Sequence, residues 1–204
     1  MGLISNGTTI FDAGAMSLGG SMVFIKKLTA NNSGTLSFVH GSGGVVLDDT
    51  YKEYLFTFNN LHPVTNGTYF NFNMSIDTGS NYNVAKTTTA FRPFRYEVAN
   101  DSPELAYQTG SDLAEGTGFQ RIAENLGAAN DECSAGHLTL FDPGNTTFVK
   151  HFISSVTINH ASDYPATVNW NIGGYGNTTS AVDAVQFKME SGNFDGVICM
   201  YGIA

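Results

Sequence analysis

The five histidines are the first candidates for a functional site in this sequence, because imidazole both binds metals and transfers protons near neutral pH. They are His40, His62, His137, His151 and His160. Neither an HxH nor an HExxH motif occurs, so the spacings that bring two imidazoles to one metal ion are missing. We therefore predict ordinary surface or turn histidines, with no metal and no cofactor.

Carboxylates are the second group that could act in catalysis, and two adjacent pairs stand out: Asp48-Asp49 and Asp131-Glu132. Neighbouring acids on a strand point to opposite faces, whereas in a loop they could share Ca²⁺ with backbone carbonyls, so a calcium site stays open. Glycoside hydrolysis would need two carboxylates facing each other across a cleft, which a sequence cannot show. Solvated acids in turns are the default interpretation, and the chain is predicted not to be an enzyme.

Four aromatic side chains lie among Asn, Ser and Gly, where their rings could stack on sugars while neighbouring amides bind hydroxyls. They are Tyr82, Tyr164, Trp170 and Tyr175. In the alternative interpretation, Trp170 packs against the core and the tyrosines cover loops. We favour the alternative slightly and keep a glycan-binding surface as the second hypothesis.

Charge and composition exclude some partners. With nine Lys and Arg and a formal net charge of -9, the chain lacks the clustered cations on which affinity for nucleic acids depends. Only 13% of residues are charged and 23 are Gly, which is typical of short strands joined by many turns. No signal-peptide pattern and no membrane-length apolar run is present, so we expect a soluble protein made in a cytoplasm, without membrane insertion.

Alternation of apolar and polar residues predicts a series of strands. The clearest is 68–76, where Phe70, Phe72, Met74 and Ile76 share one face. The other predicted strands are 21–28, 35–40, 53–59, 89–98, 137–141, 147–158 and 166–172. Together they predict a single β-sandwich domain over residues 21–204.

One short helix is predicted at residues 117–127. Phe119, Ile122, Ala123 and Leu126 recur at helical spacing, and Thr117 with Gln120 forms a capping box. This helix would close one end of the sandwich.

Residues 1–20 are rich in glycine and only briefly strand-like at 8–11, so we interpret them as an extended N-terminal docking arm. The apolar and β-forming side chains that could bind another protein there are Ile4, Thr9, Ile10 and Phe11.

The C-terminal stretch 181–203 is predicted to be a β-hairpin with arms at 185–189 and 197–201. Its second arm is apolar on both faces and must be covered on both, by the core or by another subunit. The predicted oligomer-interface residues are Val197, Ile198, Met200 and Tyr201.

Four segments carry a resemblance to a known family: SGTLSFV at 33–39, VLDDTYKEYLFTFNNLHP at 46–63, NTTFVKHF at 145–152 and GNTTSAVDAVQFKMESGNFDGVICMYGI at 176–203. They resemble virion structural proteins, fibre-like or decoration-like, from tailed bacteriophages of aquatic bacteria. The resemblance implies membership of a phage particle, without a position on it and without catalytic residues. The final segment is also similar to the closing hairpin of trimeric jelly-roll heads in fibre tips and capsid-decorating proteins.

We therefore expect a jelly-roll-like antiparallel β-sandwich with one short helix and an N-terminal arm. The expected assembly is a homotrimer on the exterior of the virion, docked to other virion proteins through the arm, as head decoration or as a tail appendage. The alternative is a glycan-binding receptor module of a tail fibre. An enzyme such as a depolymerase is the third and least favoured class.

Overall fold

The computed structural model describes residues 21–98, 102–161 and 166–203, together with the backbone of three short strands before residue 17. Within these residues the chain forms fifteen strands and no helix. All strand pairs are antiparallel. The predicted all-β class is therefore confirmed.

The strands form three sheets. The N-terminal sheet contains β1 (Leu3–Ser5), β2 (Thr8–Asp12) and β3 (Ala15–Met16). A four-stranded sheet has the order β10 (Gln120–Leu126), β7 (Thr68–Ser75), β14 (Ala184–Met189), β5 (Thr35–Val39). An eight-stranded sheet has the order β4 (Met22–Ser33), β15 (Phe194–Ile203), β6 (Glu53–Pro63), β11 (Ser134–Phe141), β12 (Lys150–Asn159), β13 (Ala166–Gly176), β8 (Lys86–Tyr96), β9 (Glu104–Tyr107).

The four-stranded and eight-stranded sheets pack face to face as a sandwich, and aromatic rings fill much of the core. Phe187 on β14 lies at the centre, with ring centroids 5.2 to 6.3 Å from those of Phe38, Phe56, Phe58, Phe70 and Phe72. All six side chains are buried. Burial of each phenyl ring stabilises the fold by roughly 1.5–3 kcal/mol before the loss of conformational entropy is subtracted.

Residues 117–127 contain no helix, so that prediction is wrong. Ile122, Ala123 and Leu126 are buried, but on strand β10, which pairs with β7. The pairing register shifts between Arg121 and Ala123 and again between Ala123 and Leu126. Each irregularity resets the in-and-out alternation of the strand, so the apolar spacing imitates the period of a helix.

Residues 181–203 form two strands, as predicted, but not a hairpin. β14 lies in the four-stranded sheet between β7 and β5, whereas β15 lies in the eight-stranded sheet between β4 and β6. The turn residues at 190–193 therefore carry the chain from one sheet to the other. Gly192, with φ of +73°, supplies a left-handed backbone conformation within this crossing.

The polar side of β7 is buried as well as its apolar side. Phe70, Phe72 and Met74 face the core, while Asn71 and Asn73 point away from it and are still fully buried. Asn73 donates hydrogen bonds through Nδ2 to the carbonyl oxygens of Tyr82 and Thr117 at 2.6 and 3.1 Å. The loops that contain Tyr82 and Thr117 thus cover part of the outside of the four-stranded sheet.

Candidate functional site

A broad surface of the described part of the chain is the solvent-facing side of the eight-stranded sheet. Its side chains alternate with core residues along the central strands β6, β11, β12 and β13, and we call it the outer face. One cross-strand row, fixed by the pairing register, runs across its middle from Phe24 through Tyr201, Leu55, Thr139 and Ile153. Phe24 and Ile153 are 58% and 56% exposed, so the row offers large apolar side chains to solvent.

The half of the outer face formed by β4, β15 and β6 carries a cluster of large apolar side chains. Phe24 and Tyr201 meet edge to face, with ring centroids 5.7 Å apart. Met22, 54% exposed, pairs with Ile203 at the end of the same two strands. Val197 lies on the same side, further along β15.

The half formed by β12 and β13 is polar but uncharged. Asn169 donates through Nδ2 to Ser155 Oγ at 3.2 Å and to Thr157 Oγ1 at 2.9 Å. Asn171 donates through Nδ2 to Asn169 Oδ1 at 2.7 Å. These amides and hydroxyls form a flat network that holds its own side chains in place.

Ionised groups are scarce on this face. Four cross-strand rows make up the middle of the face, from the row that contains the Met22–Ile203 pair to the row that contains the Thr29–Val197 pair. All residues of these rows are described, and the only permanently ionised side chains among them are Lys27 and Glu53. The chain as a whole carries a net charge of -9. Its acidic side chains therefore lie mainly elsewhere.

The predicted oligomer-interface residues divide between the two sides of β15. Val197 and Tyr201 lie on the outer face, whereas Ile198 and Met200 are fully buried in the core of their own chain. β15 is therefore apolar on both sides for two different reasons: one side packs in the core and the other belongs to the outer face. Ile198 and Met200 cannot contact another subunit while the sandwich is folded.

The predicted glycan-binding residues do not form one surface. Trp170 is only 2% exposed and packs in the core, with the guanidinium carbon of Arg92 5.7 Å from its ring. Tyr175 lies on the outer face, its ring 5.8 Å from that of His151. Tyr82 belongs to the loop beyond β7, and Tyr164 lies outside the described residues. The core interpretation of Trp170 is therefore the correct one.

The predicted docking residues Ile4, Thr9, Ile10 and Phe11 lie on β1 and β2, which pair with each other. Only their backbone is described, and docking stays a prediction.

The acidic side chains that were considered for calcium organise loops instead. Asp48 accepts a hydrogen bond from the Thr50 backbone N–H at 2.8 Å, and Glu132 accepts one from Ala129 N–H at 2.7 Å. Hydrogen bonds from Asn81 and Ser75 lower the pKa of Asp77 to about 2. Across the described part of the chain, no three His, Cys, Asp or Glu side chains are grouped to hold a metal ion.

Two buried lysines were missed by the sequence analysis. Lys86 and Lys150 flank Gly176 in one cross-strand row on the core side of the eight-stranded sheet, and both are fully buried. Lys86 Nζ donates to Asn73 Oδ1 at 2.6 Å and to the Val84 carbonyl oxygen at 2.7 Å. Burial lowers the pKa of Lys86 to about 7. The alternation of inward and outward positions along β8 and β12 could have indicated that these two lysines face the core. Because lysine is so rarely buried, both residues are expected at the surface from the sequence alone.

Both cysteines, Cys133 and Cys199, are free thiols. The described residues contain no helix of the length and apolarity needed to cross a bilayer. Comparison of the chain with protein-family models, with curated proteins and with solved structures returns no match.

Proposed function

We propose that this chain is a non-enzymatic structural protein of a tailed-bacteriophage virion, and that its copies associate through the outer face. The observation that carries the proposal is the breadth of that face combined with its lack of charge. The resemblance of four sequence segments to virion structural proteins supplies the biological setting.

Electrostatics favours self-association at this surface over any other. Two copies with a net charge of -9 repel each other, and bringing like charges together at a contact is costly. The outer face lets two chains approach with few opposing carboxylates, since Glu53 is the only one in its described rows. At strand spacings of about 4.8 Å the outer face covers roughly 700 Å². In a ring of three each subunit makes two contacts, so each contact would use about half of that area and lie at the small end of protein–protein interfaces.

A ring of three subunits fits the two unlike halves of the face. A twofold axis joins a patch to itself, whereas a threefold axis joins two different patches. The aromatic half around Phe24 and Tyr201 and the amide half around Asn169 and Asn171 are such a pair. We keep the homotrimer for this reason, and the jelly-roll-like description because the chain crosses repeatedly between the two sheets.

Residues 1–20 remain the proposed attachment to other virion proteins, with head decoration and tail appendage as the two positions. The test is incorporation into particles. Cryo-electron microscopy of purified virions should show density for the full chain on the particle exterior, either across the shell or on the tail. Particles assembled with residues 21–204 alone should lack that density, while the truncated protein stays folded and oligomeric in solution.

Two results would contradict the proposal. Absence of the chain from purified virions would reject particle membership. Normal incorporation of residues 21–204 would reject the docking role of the arm but leave the structural role intact.

A further inference from the structure

A groove of about 370 Å³ lies on the opposite side of the sandwich, outside the four-stranded sheet. Its walls are the loop before β10, including Asp112 and Phe119, and the end of β14 with Lys188 and Glu190. It is separate from the outer face, and Tyr82, Trp170 and Tyr175 do not line it. Its volume lies within the range of small-molecule sites, which is about 300–1,000 Å³.

Asn71 lies beneath this groove with an unpaired hydrogen-bond acceptor. The pairing register places it directly between Arg121 and Lys188, both of which line the groove. Its Nδ2 donates to Glu190 Oε2 at 2.8 Å, and a carboxylate can only accept, so Oδ1 points elsewhere. Oδ1 is buried and has no partner among the described residues.

A buried acceptor without a donor costs roughly 1–3 kcal/mol, and such groups call for an explanation. The pairing register places Arg121 and Lys188 to either side of Asn71, so a ligand hydroxyl that reaches Oδ1 must enter between these two side chains.

The rest of the groove offers both donors and acceptors at balanced charge. The cations Arg121 and Lys188 stand against the carboxylates Asp112 and Glu190. The Lys188 ammonium lies 4.8 Å from the centre of the Phe119 ring, which gives the groove an apolar wall. Arg121 is further neutralised by Glu124 at 3.3 Å.

The loop that forms one wall is held in place by buried hydrogen bonds. Gln120 is fully buried and donates through Nε2 to the Ser111 carbonyl oxygen at 2.7 Å. Its Oε1 accepts from Thr88 Oγ1 at 2.7 Å, and Thr88 Oγ1 in turn accepts from Leu113 N–H at 2.8 Å. Because the wall is fixed before any ligand arrives, binding would not have to order it.

We propose that this groove binds a neutral saccharide, one pyranose unit of a glycan. Sugar hydroxyls both donate and accept, so they match the mixed wall of Lys188, Asp112 and Glu190 and supply the donor that Asn71 Oδ1 lacks. The C–H face of the ring packs against Phe119. Phosphorylated or carboxylated ligands are disfavoured, because with Glu124 included the carboxylates outnumber the cations. The inference is independent of the proposed virion role, which it would extend with a recognition function.

The test is saturation-transfer NMR on the full chain with methyl glycosides of glucose, galactose, mannose and N-acetylglucosamine, and with glucuronate as the anionic comparison. At least one neutral glycoside should bind, with a dissociation constant on the order of 1–10 mM. Glu190→Ala and Asn71→Ala should each weaken it about tenfold or more, through loss of an acceptor to the ligand.

Gln186→Ala is the matched control, because Gln186 lies on the same side of β14 outside the groove and bonds to Ser37 Oγ at 2.9 Å. It should bind like the wild type. Glu190 is exposed, so its variant tests the site even if Asn71→Ala fails to fold. The proposal is overturned if no neutral glycoside receives saturation, if Glu190→Ala binds as tightly as the wild type, or if glucuronate is the preferred ligand.

Discussion

Lys86 lies in surroundings that are unusual for a lysine. Its amine is fully buried, and its two hydrogen-bond partners, Asn73 Oδ1 and the Val84 carbonyl, are both acceptors. A neutral amine has two N–H groups, so these two acceptors satisfy it without a charge. Burial lowers the pKa of Lys86 to about 7.

This burial predicts a pH-dependent stability. Between about pH 7 and the ordinary lysine pKa of 10.5, the unfolded chain holds a proton on Lys86 that the folded chain does not. The free energy of unfolding should therefore rise with pH across this window, by about 1.4 kcal/mol per unit at most, and the penalty should be complete below pH 7.

Urea denaturation near pH 7.5 and near pH 9.5 would measure the effect, with Lys86→Met as the comparison. The variant loses this contribution, so the wild type should gain about 2 kcal/mol relative to it over that interval. The lowered pKa of Lys150 and the raised pKa of Tyr54 are common to both proteins, so their contributions cancel in the difference. Equal pH dependence in the two proteins would mean that Lys86 stays charged when folded.

Single residues were predictable where strand alternation fixes the side that they occupy. Phe70, Phe72 and Met74 lie in the core as their spacing predicts. Ile198 and Met200 could not be assigned, because neighbouring positions on β15 are equally apolar and the sequence does not say which side is the core. Asn71 alternates with these core residues, and its burial and its unpaired Oδ1 depend on a distant loop and on Glu190, which no local pattern reports.

At the scale of elements, β10 shows how a bulged strand can imitate a helix. Asn125 has φ of 58°, in the left-handed region, within the second register shift of the pairing with β7. Asparagine tolerates this conformation better than other residues with a β-carbon, and glycine tolerates it best.

The backbone at Asn125 therefore predicts a contrast between two substitutions. Asn125→Ala should lower the free energy of unfolding by about 1 kcal/mol, whereas Asn125→Gly should leave it nearly unchanged. Denaturation midpoints of the two variants would measure this. If alanine were tolerated as well as glycine, the left-handed backbone would not be what keeps β10 in its bulged register.

The strands themselves were largely predictable, whereas their partners were not. β14 and β15 occupy the predicted arms, but a hairpin and a crossing between sheets use the same turn residues. Glycine and asparagine at 190–193 permit a reversal without deciding which sheet receives the next strand. The sheet that β15 joins depends on which strands pair with its two edges. These partners, β4 and β6, lie more than a hundred residues earlier in the chain.

At the scale of the whole molecule, the distribution of charge divides the sandwich into two chemically different sides. The loops and the outside of the four-stranded sheet hold carboxylates such as Asp77, Asp183 and Glu190, whereas the outer face of the eight-stranded sheet is nearly free of them. A soluble monomer would gain nothing from leaving its broadest sheet face uncharged. Association through this face would hide the exposed rings of Phe24 and Tyr201 from water.

Ile153→Lys is the sharpest test of that association. Ile153 lies in the middle row of the outer face and is 56% exposed, so lysine there leaves the core intact but places an unpaired charge inside the proposed interface. Val64→Lys is the matched control. Val64 is 59% exposed beyond the end of β6, away from the rows of the outer face, and its substitution adds the same charge.

Light scattering after size exclusion should give three times the 21.8 kDa chain mass for the wild type and for Val64→Lys. Ile153→Lys should elute as a folded monomer, because a desolvated, unpaired charge costs several kcal/mol. A monomeric wild type, or a trimer that Ile153→Lys does not weaken, would place subunit contacts away from this face and leave its lack of charge to be explained by a different partner.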